Sequence, residues 1–398
     1  MNKKKFLSDT ILGIVASSIP LLTLQFVVFP LLSNQVGENT FGLIVTLIGL
    51  LTIIASSFGS AINNVRLMLN SEYEREHVTG DFTLLLWILQ ALGFVASLVC
   101  VFVFGNSFSL FGILLFALIP VINTSTAYYQ AAFRLEINYK RILINSIIES
   151  VGYISGFGLF LVTGYWQFIY ILGFGFCLIY HACLCNPLIR ESAHRTHLYK
   201  KTSRNLFVLV LASFLTGALA YIDRLILFPL LGGESVSVYY VSTLIGKMIP
   251  LAIGPIAGVM LTYFAKMTRI SRRVILHILL LSAIAGAIGF VVCILLSSPL
   301  LSFLYPSIAG DAIQFIYITT LTGMVNMICI ILNPIVLRFY NINWQIIINA
   351  INLAVYLGLS LLLLNTYGLM GFCIGVLIAT IVKFVIMTVV CLKRESPA

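Results

Sequence analysis

Apolar residues in this chain come in long uninterrupted blocks, and polar residues gather between them. A helix needs about 20 mostly apolar residues to cross the hydrocarbon core of a bilayer. Twelve segments reach that length: 8–32, 40–63, 82–105, 108–133, 142–163, 167–186, 206–231, 237–264, 274–298, 311–337, 344–365 and 369–391. Inside lipid every backbone N–H and C=O must be satisfied within the protein, which favours helices over open sheets. The pattern therefore predicts an all-α membrane protein with twelve transmembrane helices. Lys3, Lys4 and Lys5 resemble the start of a cleavable leader, but the apolar run behind them reaches about residue 32. That length predicts a span.

Composition narrows the function. Of 398 residues, 60% are hydrophobic and 9% charged. Soluble proteins keep roughly a quarter of their residues charged. A soluble enzyme and a nucleic-acid binder are both excluded. The net charge of +10 lies in the connections. Twenty of the 23 Lys and Arg residues fall in the two tails and in every second loop. The intervening loops are very short and carry only Glu38, Glu234 and Asp311. Lys and Arg set topology by staying on the cytoplasmic side, so both termini are expected there. Anionic membrane lipids are the expected partners of these loops.

The chain repeats itself. Phe29-Pro30-Leu31-Leu32 recurs as Phe228-Pro229-Leu230-Leu231, and Thr46-Leu47-Ile48-Gly49 recurs as Thr243-Leu244-Ile245-Gly246. Arg134 followed by Ile142-Leu143-Ile144-Asn145 recurs as Arg338 followed by Ile346-Ile347-Ile348-Asn349. The offsets stay between 197 and 204 residues. Each half holds an even number of spans, so the expected arrangement is two six-helix lobes related by a pseudo-twofold axis along the membrane normal. The expected division is an N-terminal lobe at 1–186, a basic cytoplasmic connector at 187–205 and a C-terminal lobe at 206–398. Such repeats enclose a substrate site and rock about it to give alternating access.

Arg224, Lys247 and Lys383 lie within apolar segments, where charge is costly and marks function by default. Asp223 and Arg224 sit about seven residues from the outer end of the seventh span, roughly 10 Å at 1.5 Å per residue. Lys247 lies at a similar depth in the eighth. Arg224 and Lys247 are candidates for one anion site, with Asp223 holding a base in place; the alternative is an ion pair that fixes helix packing. Gln25 and Leu50 occupy the matching positions of the first half. Pro20, Pro250 and Pro255 are hinge candidates, since proline removes a backbone bond and bends a helix.

Asn145, Glu149, Gly152, Tyr153 and Gly156 share one helical face. Glu149 can carry a coupling proton or ion, or simply bond a neighbouring helix. Asn349, Asn352, Tyr356 and Ser360 form a comparable stripe in the eleventh span, for a wet cavity or for helix packing. Lys383 contacts a lipid phosphate or reaches the interface. Arg66 stands at a cavity mouth or serves as an ordinary topology charge.

Chemical motifs are sparse. No CxxC pair occurs among the eight cysteines, and Cys183, Cys185, His194 and His197 are too loosely spaced to predict a metal site. There is no GxxxxGK[ST], HExxH or GxSxG motif. Neither a metal nor a cofactor is expected, and ATP is not the direct energy source.

On these residues the chain resembles the multidrug/oligosaccharidyl-lipid/polysaccharide exporter superfamily, and in particular its O-antigen and polysaccharide flippases. Phe29-Pro30-Leu31-Leu32 through Gly37 and Phe41-Gly42 looks like the family's first outer loop. Asp223-Arg224 with Phe228-Pro229-Leu230-Leu231, Tyr239 and Tyr240 looks like its counterpart. The resemblance covers nearly the whole chain. It implies a bacterial inner-membrane protein that moves an undecaprenyl-diphosphate-linked oligosaccharide to the outer leaflet, with proton or sodium antiport. It also implies a polysaccharide polymerase and a chain-length regulator as partners; the placement of the basic residues in short loops between apolar runs speaks against nucleic acid. Lipid II flippases of the superfamily have additional spans, from which the twelve found here depart. A drug/cation antiporter is the alternative within transporters. A polysaccharide polymerase or ligase is the alternative outside them, and the short outer loops disfavour it.

Overall fold

In the computed structural model the backbone is described for residues 3–392 except 105–107, 266, 268, 341 and 342; side chains are described from residue 11, apart from 343 and some positions in 250–265. Every regular element among the described residues is helical. They are α1 Lys3–Thr23, a π-helical turn Leu24–Val28, α2 Phe29–Val36, α3 Glu38–Arg75, α4 Asp81–Phe104 and α5 Leu110–Leu135. Then follow α6 Tyr139–Thr163, α7 Phe168–Cys183, a 3-10 turn Pro187–Arg190, α8 Tyr199–Ala265, α9 Arg272–Leu304, α10 Ala309–Phe339 and α11 Asn343–Leu392. Among the described residues nine helices are long and apolar enough to cross a membrane, and α7 is a shorter apolar helix. Large apolar side chains such as Phe102, Val162 and Phe303 stand exposed. Contiguous apolar surface of this kind suits lipid rather than water.

Local chemistry sets the helix ends. Ser109 caps α5 by accepting the Gly112 N–H at 3.2 Å, Asn138 caps α6 at Arg141, and Ser271 caps α9 at Val274. Each side-chain oxygen satisfies an N–H that has no partner within the helix. The π turn has a similar local cause. Pro30 has no N–H to offer the Phe26 carbonyl, and its ring crowds that turn. The Phe29 N–H reaches back five residues to Leu24 O instead. The helix continues through Pro20, and the departure from α geometry falls at Leu24–Val28.

The chain forms two compact units, Met1–Leu230 and Leu231–Ala398. The first holds the connector and the opening segment of α8. One of its apolar clusters gathers Val65, Phe82, Leu86 and Tyr128 with Leu188, Leu198 and Leu206. In the second, Cys329, Leu332 and Val336 of α10 pack with Ile348 and Met387 of α11.

Each unit repeats the other's internal devices. Gly37 (φ 76°, ψ 164°) separates α2 from α3, and Gly232 (φ 80°, ψ 179°) interrupts α8. Gly164 (φ 78°) ends α6 before α7, and Gly368 (φ 58°) interrupts α11. These backbone angles are open to glycine and strained for other residues. Close packing repeats as well. A Cβ on Gly152 or Gly156 of α6 would fall about 2.5 Å from backbone of α7. A Cβ on Gly371 or Gly375 would meet Leu363 or Ser360, across the Gly368 turn, at 2.0 and 2.6 Å. Arg134 on α5 donates to Asn63 Oδ1 of α3 at 3.3 Å. Arg338 on α10 donates to Phe264 O and Met267 O, at and just past the end of α8, both at 3.2 Å.

Candidate functional site

Arg224 is the most enclosed of the intramembrane bases predicted from sequence. It and Asp223 are 9% and 5% exposed. Asp223 Oδ1 accepts the Arg224 backbone N–H at 2.9 Å. The guanidinium donates from Nη1 to Val45 O of α3 at 3.3 Å and lies 5.2 Å from the ring centroid of Tyr221. Tyr221 precedes Arg224 by three positions, so the two share a helical face. The ring rests where Gly49 has no side chain; a Cβ there would lie 3.4 Å from it. A guanidinium over an aromatic ring is attracted by the negative face of the ring.

Lys247 belongs to the second unit, where its side chain is exposed and its ammonium lies 5.4 Å from the Tyr239 ring centroid. Arg224 and Lys247 thus fall in different units, each beside a tyrosine. Pro250 and Pro255 lie on helical backbone of α8, but their side chains are outside the described residues. Lys383 is half-buried on α11. Gln25 is half-buried within the π turn, a geometry that recurs at functional positions.

Glu149 is half-buried on α6, and Tyr153 one turn on donates to Glu149 Oε1 at 2.6 Å. The predicted face of Asn145, Gly152, Tyr153 and Gly156 is buried, and its glycines bring α7 against α6. Asn145 Oδ1 is buried without a hydrogen-bond partner. In the Asn349, Asn352, Tyr356 and Ser360 stripe, which lies on α11, Ser360 is buried against Gly375 and Tyr356 meets Phe372 edge-on, while Asn349 is exposed.

Arg66 is buried and makes a forked pair with Glu191 of the connector, Nη2 to Oε1 at 2.6 Å and Nη1 to Oε2 at 3.2 Å. Tyr128 donates to Glu191 Oε2 at 3.3 Å, and Phe82 lies 4.9 Å beneath the guanidinium carbon. Glu191 did not stand out in the sequence, although it is the lone acid in the basic stretch 187–205. That isolation was the available signal. The tyrosine beside Arg224 was legible too, from its spacing. His194 bonds Ser192, and His197 pairs with Glu76 at 3.1 Å. No group of three or more His, Cys, Asp or Glu able to hold a metal occurs among the described residues.

No protein-family model and no curated protein matches the sequence. Solved structures do match in shape. An inward-facing multidrug resistance MATE family transporter of the MOP superfamily aligns with a TM-score of 0.71 at 14% identity, over 94% of this chain and 96% of that one. The lipid II flippase MurJ in an inward closed conformation aligns at 0.66 and 15% identity, over 96% of this chain and 85% of that one. A Vibrio cholerae MATE transporter, VcmN in the bent form, aligns at 0.59 and 15% identity, over 98% and 95%. At such identities the likeness is one of fold. The chain shares its fold with these transporters, and among the described residues nine helices are long and apolar enough for a multi-pass membrane protein.

Proposed function

We propose that this protein is a bacterial inner-membrane flippase that carries an undecaprenyl-diphosphate-linked oligosaccharide, such as an O-antigen repeat unit, to the outer leaflet by alternating access. The observation that carries the reading is Arg224. It is a buried guanidinium in an apolar segment, stacked on Tyr221 and anchored to Val45 O. A diphosphate crosses hydrocarbon only where its charge is compensated. Arg224 and Lys247 supply that charge, Asp223 orients Arg224, and Gln25 offers an amide to sugar hydroxyls. Glu149 is the ion-coupling carboxylate, and Lys383 contacts a lipid phosphate. Arg66 is spent on Glu191 and serves as an internal tie.

The twelve-span topology belongs to this reading. α8 is 67 residues long and α11 is 50, each far beyond the about 20 needed for one crossing. Each is broken by a positive-φ glycine, and two crossings per element bring the count to twelve. The one-sided basic loops support cytoplasmic termini. Partners of this flippase would be the polymerase and chain-length regulator that act on the exported unit.

The test is export of lipid-linked glycan in cells lacking their own flippase. Arg224→Gln and Lys247→Gln should each abolish export while membrane protein levels hold. Full export in both variants removes the diphosphate site. A second reading, drug/cation antiport, draws on the likeness to multidrug transporters. Efflux of cationic dyes from a sensitive host, with glycan export absent, would favour it.

A further inference from the structure

The segment that joins α7 to α8, and the opening stretch of α8 itself, is bonded to the first unit along its whole length. Asn186 Nδ2 donates to Tyr129 O at 2.9 Å, and its Oδ1 accepts the Leu188 N–H at 3.0 Å. Glu191 holds Arg66, and the Thr83 hydroxyl donates to Glu191 O at 3.3 Å. Asp81 is fully buried. Its carboxylate accepts the Thr196 N–H at 2.8 Å, the Thr196 hydroxyl, and the Tyr73 hydroxyl at 2.7 Å. Tyr73 also meets the Thr202 hydroxyl at 2.6 Å. Leu188, Leu198 and Leu206 sink into the cluster that holds Val65 and Phe82.

Above this strap α8 runs antiparallel beside α3. Ser213 and Ser60 hydroxyls lie 3.4 Å apart, Gly217 faces Ile53, Tyr221 fills the space over Gly49, and Arg224 reaches Val45 O. Small residues allow this close approach within a bilayer.

A linker that flexes between two moving bodies has few buried contacts and a solvated backbone. This connector has the opposite character. The buried Arg66–Glu191 pair holds only while the connector stays docked, and undocking also strips Asp81 of both Thr196 bonds, leaving it the Tyr73 hydroxyl alone. We infer that residues 187–230 move as part of the first rigid body during transport, so that the seventh span travels with α3 and the working joint lies downstream. The next break in the helical path is Gly232, followed directly by Gly233. Its backbone angles are reserved for glycine, and no atom lies within 4 Å of where a Cβ would stand. The inference rests on the proposed transport cycle but not on its cargo.

A disulfide between Ser60→Cys and Ser213→Cys tests it, with Cys183 and Cys185 replaced by serine. The bridge should form on oxidation, identified by its cross-linked peptide, and leave glycan export at the level of the reduced protein. Loss of export on oxidation that dithiothreitol restores would overturn the inference, as would failure of the bridge to form. Hydrogen exchange on the unaltered protein in proteoliposomes needs no variant and no known cargo. Peptides covering 196–206 should remain as protected as those covering 66–82 under imposed proton or sodium gradients. A gradient-dependent rise in exchange confined to 196–206 would also overturn it. If the unmodified protein exports no glycan, the cargo assignment fails, while the exchange data still decide the strap.

Discussion

The carboxylate of Glu191 grips the guanidinium of Arg66 through two hydrogen bonds, although 125 residues separate them in the chain. The pair is nearly shut off from solvent, at 8% and 11% side-chain exposure. Removing one member of a buried pair strands the other, at a cost of about 3–5 kcal/mol. Arg66→Met should therefore lower thermal stability in detergent sharply. The double variant Arg66→Met/Glu191→Leu should recover part of that loss. A double variant as unstable as the sum of both single changes would argue against a mutually satisfied pair.

Glycines at the α6–α7 contact carry a different expectation. A Cβ on Gly156 would sit 2.4 Å from Phe168 O, so Gly156→Ala must push the helices apart. Overpacking of this kind costs about 1–3 kcal/mol. Gly158, on the same helix, has open space around it, and alanine there improves helix propensity by roughly 0.5–1 kcal/mol. Melting temperatures of the two variants should shift in opposite directions.

The turn glycines make a paired prediction. Gly37→Ala and Gly232→Ala meet no obstructing atom, yet both force a side chain into glycine-only backbone space. Each should destabilise by about 1–3 kcal/mol. Gly310→Ala, also in open space but on helical backbone, is the control and should be neutral. Equal melting of all three would show that the strain at Gly37 and Gly232 is negligible.

For transport, Arg224→Lys is more telling than Arg224→Gln. Lysine keeps the charge but lacks the planar fork that lies over Tyr221 while bonding Val45 O. Export should fall in Arg224→Lys and stay low when Tyr221→Ala is added to it. A fully active lysine variant would mean that charge alone suffices and that the stacking geometry is idle.

Glu149→Gln keeps an acceptor for the Tyr153 hydroxyl and removes the titrating group. Export should persist with a flattened dependence on pH. A pH profile identical to that of the unaltered protein would remove Glu149 from the coupling step.

Reading residues in order reached quite far into this fold. The Phe-Pro-Leu-Leu repeat announced matching devices in the two units, and positive-φ glycines stand shortly after each copy, at Gly37 and Gly232. The Asn145, Gly152, Tyr153 and Gly156 face was visible from helical spacing, but that spacing says nothing about what lies opposite. It is α7, pressed against the glycines. The π turn at Leu24–Val28 was not foreseen, because it depends on how one missing N–H is compensated rather than on any pattern of side chains.

Block length, one-sided basic loops and short repeated motifs are properties of neighbouring residues, so the chain alone predicted long apolar helices, and the described residues form them. Partner choice is different in kind. Whether Arg66 faced water or Glu191, and whether the opening of α8 packed on α3, depended on surfaces that meet only when distant segments fold together. Contacts across such separations leave no period in the sequence, and burial then decides whether a charge becomes a tie or a site.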